Sequence, residues 1–205
     1  MLTVIDHPLV QVKLGLLRDQ ATPVPDFRRA LRETAALMFF QATADLPTVE
    51  ATVQTPLAPC PARRLQRPVV LAPILRAGLG LLEGLFELVP DAQVAHLGFY
   101  RDEHTLKPVR YYAKVPPGIA EAEVIVLDPM LATGHSAAAA VSALKVSGAA
   151  HIRLLCLVSC PEGVAHFGGA HPDVPIFTAA VDEKLNERGY IVPGLGDAGD
   201  RFFGT

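Results

Sequence analysis

Short, nearly continuous apolar runs constrain the fold of this chain more than any other feature. They are "PVVLAPIL" (68–75), "QVAHLGFY" (93–100), "EVIVLDP" (123–129), "HIRLLCLVSC" (151–160) and "VPIFTAAVD" (174–182). A strand that faces water on one side alternates apolar and polar residues. Strands without that alternation are buried on both faces, as in a parallel sheet covered by helices. Helix-type segments separate several of these runs: "GLGLLEGLFELV" (78–89), "SAAAAVSALKVSG" (136–148), closed by Gly148, and the shorter "PEGVAHFG" (161–168). The pattern predicts an α/β fold with about five parallel strands joined by crossover helices. Ligands of such sheets bind beyond the carboxyl ends of the strands. That rule puts Arg76, Arg101, Asp128 and the 129–136 loop along one edge.

The remaining segments read less regularly. In "PDFRRALRETAALMFF" (25–40), Phe27, Ala30, Leu31, Thr34, Leu37 and Met38 recur at helical steps, with Asp26 as the expected N-cap. Residues 47–68 hold no strong period and read as irregular chain with short strands. The polar stretch 100–116 carries Arg101, Lys107, Arg110 and Lys114 and reads as a projecting hairpin rather than a sheet strand. The tail has five glycines, yet Tyr190, Ile191, Val192, Phe202 and Phe203 are apolar anchors for it.

Composition narrows the function classes. The 205 residues fit one domain, and a 50% apolar content supplies a sizeable core. A net charge of −3 argues against a nucleic-acid partner. No apolar stretch is long enough to span a membrane, and "MLTVIDHPLV" lacks the basic-then-apolar order of a signal peptide. Cys60, Cys156 and Cys160 have neither disulfide-framework nor zinc-site spacing, and the last two read as core residues. These features together point to the cytoplasm.

The stretch "LDPMLATGHSAAAAV" (127–141) carries the chemistry. A strand that ends in a small-residue loop and opens a helix turns free N–H groups, and the positive end of the helix dipole, toward an anion. Thr133 and Ser136 add hydroxyl donors, and Gly134 lets the main chain approach closely. The loop therefore suits a phosphate monoester, while Asp128 suits ribose hydroxyls or an incoming metal. The plain alternative is an ordinary βα turn capped by Ser136.

Other motifs fit worse. A Walker A loop needs a lysine that is absent here. Gly194, Gly196 and Gly199 have dinucleotide-fingerprint spacing, but six residues remain after them, too few for a βαβ unit. "AGLGLLEG" misses that spacing by one residue. "GHSAA" approximates a hydrolase nucleophile elbow, but between Ser136 and His171 there is no Asp, only Glu162 could serve as the acid, and no oxyanion segment is present. The second rival class is a nucleotide- or RNA-binding regulator.

Asp128-Pro129-Met130-Leu131-Ala132-Thr133-Gly134-His135-Ser136 resembles the loop of type I phosphoribosyltransferases that binds 5-phospho-α-D-ribose 1-diphosphate (PRPP). Its Pro-Met-Leu-Ala version is similar to that of the uracil phosphoribosyltransferases. "PILRAGLG" (73–80) looks like that family's diphosphate-side loop, "YRDEHTLKPV" (100–109) its flexible arm, and "LNERGYIVPGLGDAGDRFFGT" (185–205) its uracil-binding tail. "HPLVQVKLGLLRD" (7–19) and "QATADL" (41–46) match its opening. His135 departs from the family, which usually has Gly there, and is expected to point to solvent. Pro129 stands where the wider motif has a second acid.

The resemblance implies a single type I phosphoribosyltransferase-like domain over 1–205, with a flexible arm (100–116) and a small hood from the terminal segments. It implies that uracil and PRPP become UMP and diphosphate. Arg76 and Arg101 would stabilise the departing diphosphate, the 128–136 loop would hold the 5′-phosphate and ribose, and Asp197 would approach the ribose or metal. Main-chain groups of Ile191, Gly196, Asp197 and Ala198 would read uracil. Mg²⁺ is expected on the substrate, without direct protein ligation. A GTP effector and a homodimer or homotetramer complete the expectations, the latter supported by the apolar N-terminal helix.

Overall fold

The computed structural model describes residues 1–101 and 108–205, apart from the side chains of Tyr100, Arg101 and Pro108. The chain begins with strand β1 (Leu2–Val4), helix α1 (Pro8–Arg18) and helix α2 (Val24–Ala42). A hairpin of β2 (Thr48–Gln54) and β3 (Pro59–Leu65) precedes β4 (Val69–Leu75), α3 (Leu79–Leu85), β5 (Gln93–Val94), β6 (His96–Arg101) and β7 (Pro108–Lys114). Then come β8 (Glu123–Leu127), β9 (Met130–Leu131), α4 (His135–Val146), β10 (His151–Ser159), α5 (Pro161–Ala170) and β11 (Ile176–Val181). The tail adds β12 (Lys184–Leu185), β13 (Ile191–Val192) and α6 (Ala198–Phe203).

The main sheet runs β1-β11-β10-β8-β4-β6-β7, with short β5 and β9 beside β4 and β10. Strands β1, β11, β10, β8, β4 and β6 are mutually parallel, one more than the sequence pattern suggests. The addition, β1, has three mostly exposed residues and so carries no periodic signal. Adjacent centres stay in register, with Val70 opposite Val124 and Val124 opposite Ile152.

The pleat divides the core in two. Val69, Leu71, Ile125, Leu127, Leu155 and Leu157 pack with α1, α2, α3 and α6. Their neighbours Val70, Ala72, Val124, Val126, Leu154 and Cys156 pack on the other face with Val141 and Leu144 of α4 and Phe167 of α5. Alternate side chains of a strand point to opposite faces, so two apolar layers demand the uninterrupted apolar runs. Cys156 and Cys160 are buried, as their apolar context predicted.

Several expectations change. Asp26 is not the cap of α2: Pro23 holds that position, and Asp26 pairs with Arg29 in the first turn at 2.6 Å. Residues 47–68 form a regular antiparallel hairpin rather than irregular chain. Both its strands are mostly exposed, which removes the burial period a sequence reading looks for. The described part of 100–116 is not merely a projection, because β7 pairs with β6 at the edge of the sheet. The tip, 102–107, lies outside the described residues, Lys107 with it. Helix α3 is shorter than the 78–89 run and ends at Leu85.

Candidate active site

Strands β4 and β8 end side by side, and their carboxyl ends open into a cleft of about 240 Å³. Eight of the expected residues line it: Arg76, Asp128, Met130, Leu131, Ala132, Thr133, Gly134 and Ser136. Ala77, Phe99 and Ala137 also line it, and the sequence reading missed them because their side chains carry no polar signal. A larger hollow, about 590 Å³, lies across the β2–β3 hairpin, but Glu50 and Arg63 are its only charged groups. Convergent polar groups favour the smaller cleft.

The loop after β8 is shaped by close main-chain packing. Gly134 has φ 77° and occupies the N-cap of α4, so the helix starts at His135. Ser136 therefore sits in the first helical turn and is not the cap, contrary to the plain reading of this turn. Thr133 and Ser136 are half-buried in the cleft wall. The loop's outer side leans on α5. A Cβ on Gly163 would lie 2.3 Å from the carbonyl oxygens of Leu131 and Ala132. The Cys160 thiol donates to the Ala132 carbonyl at 3.1 Å. Neither Gly163 nor Cys160 could be linked to the loop from sequence, because that contact exists only once α5 folds over it. Pro129 is buried and does not line the cleft; its carbonyl accepts from Leu157 and Val158 N–H at 3.0 and 3.1 Å.

Among the described residues the Asp128 carboxyl, at the mouth of the sheet, accepts one long bond, from Met130 N–H at 3.5 Å. Burial pushes its carboxyl up to about 7, only partly opposed by that bond. The same desolvation pushes the Cys156 thiol to about 12, so Cys156 stays neutral. Arg76 is exposed; its guanidinium meets Asp200 at 3.3 Å and lies 5.6 Å from the Phe203 ring. This contact brings the tail to the Arg76 side of the cleft. The Leu75–Arg76 peptide bond is cis.

The other expected residues are not among the described residues of the cleft wall. His135 is exposed, as expected, but its ring stacks on His166 of α5, centroids 4.1 Å apart. Asp197 caps α6, accepting from Asp200 N–H at 2.9 Å. Ile191 and Ala198 are buried, while Gly196 and Asp197 are exposed. The side chain of Arg101 lies outside the described residues. The hydrolase arrangement is not formed: His171 Nε2 lies 2.9 Å from the Ala138 carbonyl and 3.2 Å from Ser142 Oγ, turned to the middle of α4.

The raised carboxyl has a signed consequence. Between the ordinary value of 3.8 and about 7, the folded protein holds a proton on Asp128 that the unfolded chain releases. The resulting stability is complete below the lower value and is lost as pH rises through the upper one. The melting temperature of Asp128→Asn relative to the parent should therefore rise between pH 5 and pH 8; a constant difference would contradict this. The kcat/KM for PRPP should fall below pH 7 in the parent. Asp128→Asn should lose on the order of 100-fold in activity and that pH dependence together.

The model of the family described as "Uracil phosphoribosyltransferase" matches residues 4–205. A curated relative from Rhizobium rhizogenes, named uracil phosphoribosyltransferase, is 57% identical over 204 residues, covering 99% of this chain and 98% of its own. The solved AQ2163 protein of Aquifex aeolicus superposes with a TM-score of 0.94 at 36% identity, covering 99% of this chain and 98% of that one. The Giardia lamblia APRTase, at 15% identity and TM-score 0.51, covers 75% of this chain and 80% of its own and shares the fold alone. With a type I phosphoribosyltransferase-like fold and matches along nearly its whole length, the chain belongs to the uracil phosphoribosyltransferase family.

Proposed function

We infer that the protein transfers the phosphoribosyl group of PRPP to uracil, forming UMP and diphosphate in pyrimidine salvage, with 1–205 acting as one catalytic domain. The observation that carries this reading is the loop from Asp128 to Ser136, wrapped around the cleft at the end of β8. The N–H groups and dipole at the start of α4, with Thr133 and Ser136, suit the 5′-phosphate. His135 and Pro129 support the loop's shape from outside the cleft wall. Asp128 accepts from the ribose hydroxyls once it is ionised, and Asp197 approaches from the tail.

In the transfer, the anomeric C–O bond breaks, uracil N1 bonds to C1′, and the N1 proton leaves to solvent. Positive charge grows on the ribose and negative charge on the departing diphosphate. Arg76 and Arg101 meet that negative charge. The Arg76–Asp200 pair is more than 45% exposed on both sides, and such pairs contribute only ~0–1 kcal/mol. A diphosphate can therefore displace it. Main-chain groups of Ile191, Gly196, Asp197 and Ala198 read the edge of the neutral base.

The donor set fits magnesium brought in by the substrate. Among the described residues the cleft wall has one carboxylate, Asp128, and there is no group of three or more His, Cys, Asp or Glu arranged for a metal. Such an ion keeps several waters and binds mainly phosphate oxygens. It would neutralise charge on the diphosphate beside Asp128 and Asp197.

Self-association as a homodimer or homotetramer belongs to the same reading. Exposed Leu9, Val12 and Leu16 on α1 and the two-sided exposure of the β2–β3 hairpin support it. A GTP effector is a further part of the proposal. No helix among the described residues is long and apolar enough to cross a membrane, and the three free cysteines suit a reducing cytoplasm.

Purified protein with uracil, PRPP and Mg²⁺ should produce UMP; a preference for cytosine, hypoxanthine or orotate would overturn the choice of base. Gly196 has φ 78°, a conformation hostile to a β-branched side chain. Calorimetry on Gly196→Val should find uracil binding lost and PRPP binding kept. Arg101→Ala should raise the PRPP KM or lower kcat by on the order of 100-fold; unchanged steady-state kinetics would exclude its role.

A further inference from the structure

The tail is bolted to the rest of the protein by two arginines that the transfer chemistry does not use. Arg18, the last residue of α1, makes a bidentate pair with Asp182, at 2.7 and 2.6 Å. The same guanidinium donates to the Gly194 carbonyl at 2.7 Å, and Asp182 accepts from Gly194 N–H at 2.7 Å. Asp182 follows β11, and its own N–H donates to the Ser159 carbonyl at the end of β10 at 2.8 Å. On the other side, Arg201 donates to the Leu195 carbonyl at 2.9 Å, to the Asp19 carbonyl at 2.6 Å and to the Leu17 carbonyl. Its guanidinium lies 4.4 Å from the Phe27 ring. Arg201 thereby takes up carbonyls that the end of α1 leaves without helical partners.

These bonds occupy the N–H and carbonyl of Gly194 and the carbonyl of Leu195. Just past them Gly196 and Asp197 are exposed, and the Asp197 carbonyl turns back to accept from Arg201 N–H at 3.0 Å in the first turn of α6. A third restraint acts from the other direction: a Cβ on Gly194 would lie 2.2 Å from the Ile191 carbonyl, so the turn between Ile191 and Gly194 is tight. The segments on either side of the clamped pair are those assigned to the base. Asp182 also ties that pair to the carboxyl edge of the sheet, where Asp128 ends β8, next to β10. One frame therefore spaces the base-reading main chain from the phosphate loop.

We propose that Arg18, Asp182 and Arg201 are positioning residues that set the place of the base-reading tail, and so control uracil binding without touching uracil. The inference rests on the assignment of the tail to the base. Fold maintenance alone is a weak explanation for Arg18 and Asp182, because a buried ion pair contributes little net stability compared with apolar packing. What a bidentate pair supplies is fixed geometry. A main-chain binding site needs that geometry, since it has no flexible side chain with which to adapt.

The test uses full-length Arg18→Met, Arg18→Lys and Arg201→Lys. Steady-state kinetics are measured in both substrates, and UMP and ribose 5-phosphate binding by calorimetry. Ribose 5-phosphate engages only the phosphate side. Arg18→Met should raise the uracil KM by about tenfold or more, the scale of a lost bond to a charged group. The PRPP KM and ribose 5-phosphate affinity should stay within about twofold, so the margin by which UMP binds tighter should shrink. Arg18→Lys keeps the charge but not the fork and should fall between. An unchanged uracil KM, or equal rises in both KM values, overturns the proposal. Should Arg18→Met fail to fold, the two lysine variants decide it by the same ratio. Failure of the parent protein to use uracil at all is a separate result that overturns the reading of the tail itself.

Discussion

A carboxylate left almost alone at the end of a fully buried strand is the constraint around which the site is arranged. Strand β8 is shielded on both faces from Glu123 to Leu127, and Asp128 is the first residue past that shield. Burial raises its proton affinity, and the long hydrogen bond from Met130, its one bond among the described residues, opposes this only partly. Such a group is costly in a structure with no use for it. The loop that follows faces the same cleft with N–H and hydroxyl donors. On the proposed reading, an anionic sugar phosphate whose hydroxyls meet the acid and whose phosphate meets the donors satisfies both.

On the proposed reading two kinds of recognition meet at this cleft, and they rest on different supports. The phosphate and diphosphate are strongly charged, so arginines and a helix start are enough, and some looseness in Arg76 is tolerable. The base is neutral and flat, so its recognition needs donors and acceptors at set distances. In the proposed reading the second task falls to bonds from α1, from Asp182 just past β11 and from α6 that converge on Gly194 and Leu195. The terminal segments are thus more than a cover: the end of the first long helix holds the last segment of the chain.

Much of this was legible in the residues. Unbroken apolar runs separated by helix-type segments indicated the parallel sheet, because a doubly covered strand has no polar face. The 128–136 loop was legible because acid, hydroxyls and glycine fall at a strand end. The illegible parts have a common character. The β2–β3 hairpin is exposed on both faces, so no burial period marks it. Strand β1 is too short for a pattern. Gly163, Cys160 and Phe99 serve the cleft only through contacts formed across the fold.

By itself the sequence determined the parallel sheet and the strand end at which an acid, hydroxyls and a glycine gather. These depend on local composition and on order along the chain, which periodicity preserves. Tertiary structure alone decided that Asp128 is desolvated enough to titrate near neutrality, that His135 stacks on His166, and that Arg18, Asp182 and Arg201 grip the tail. Each of those outcomes depends on distances between residues far apart in the chain, and such distances exist only once the layers have packed.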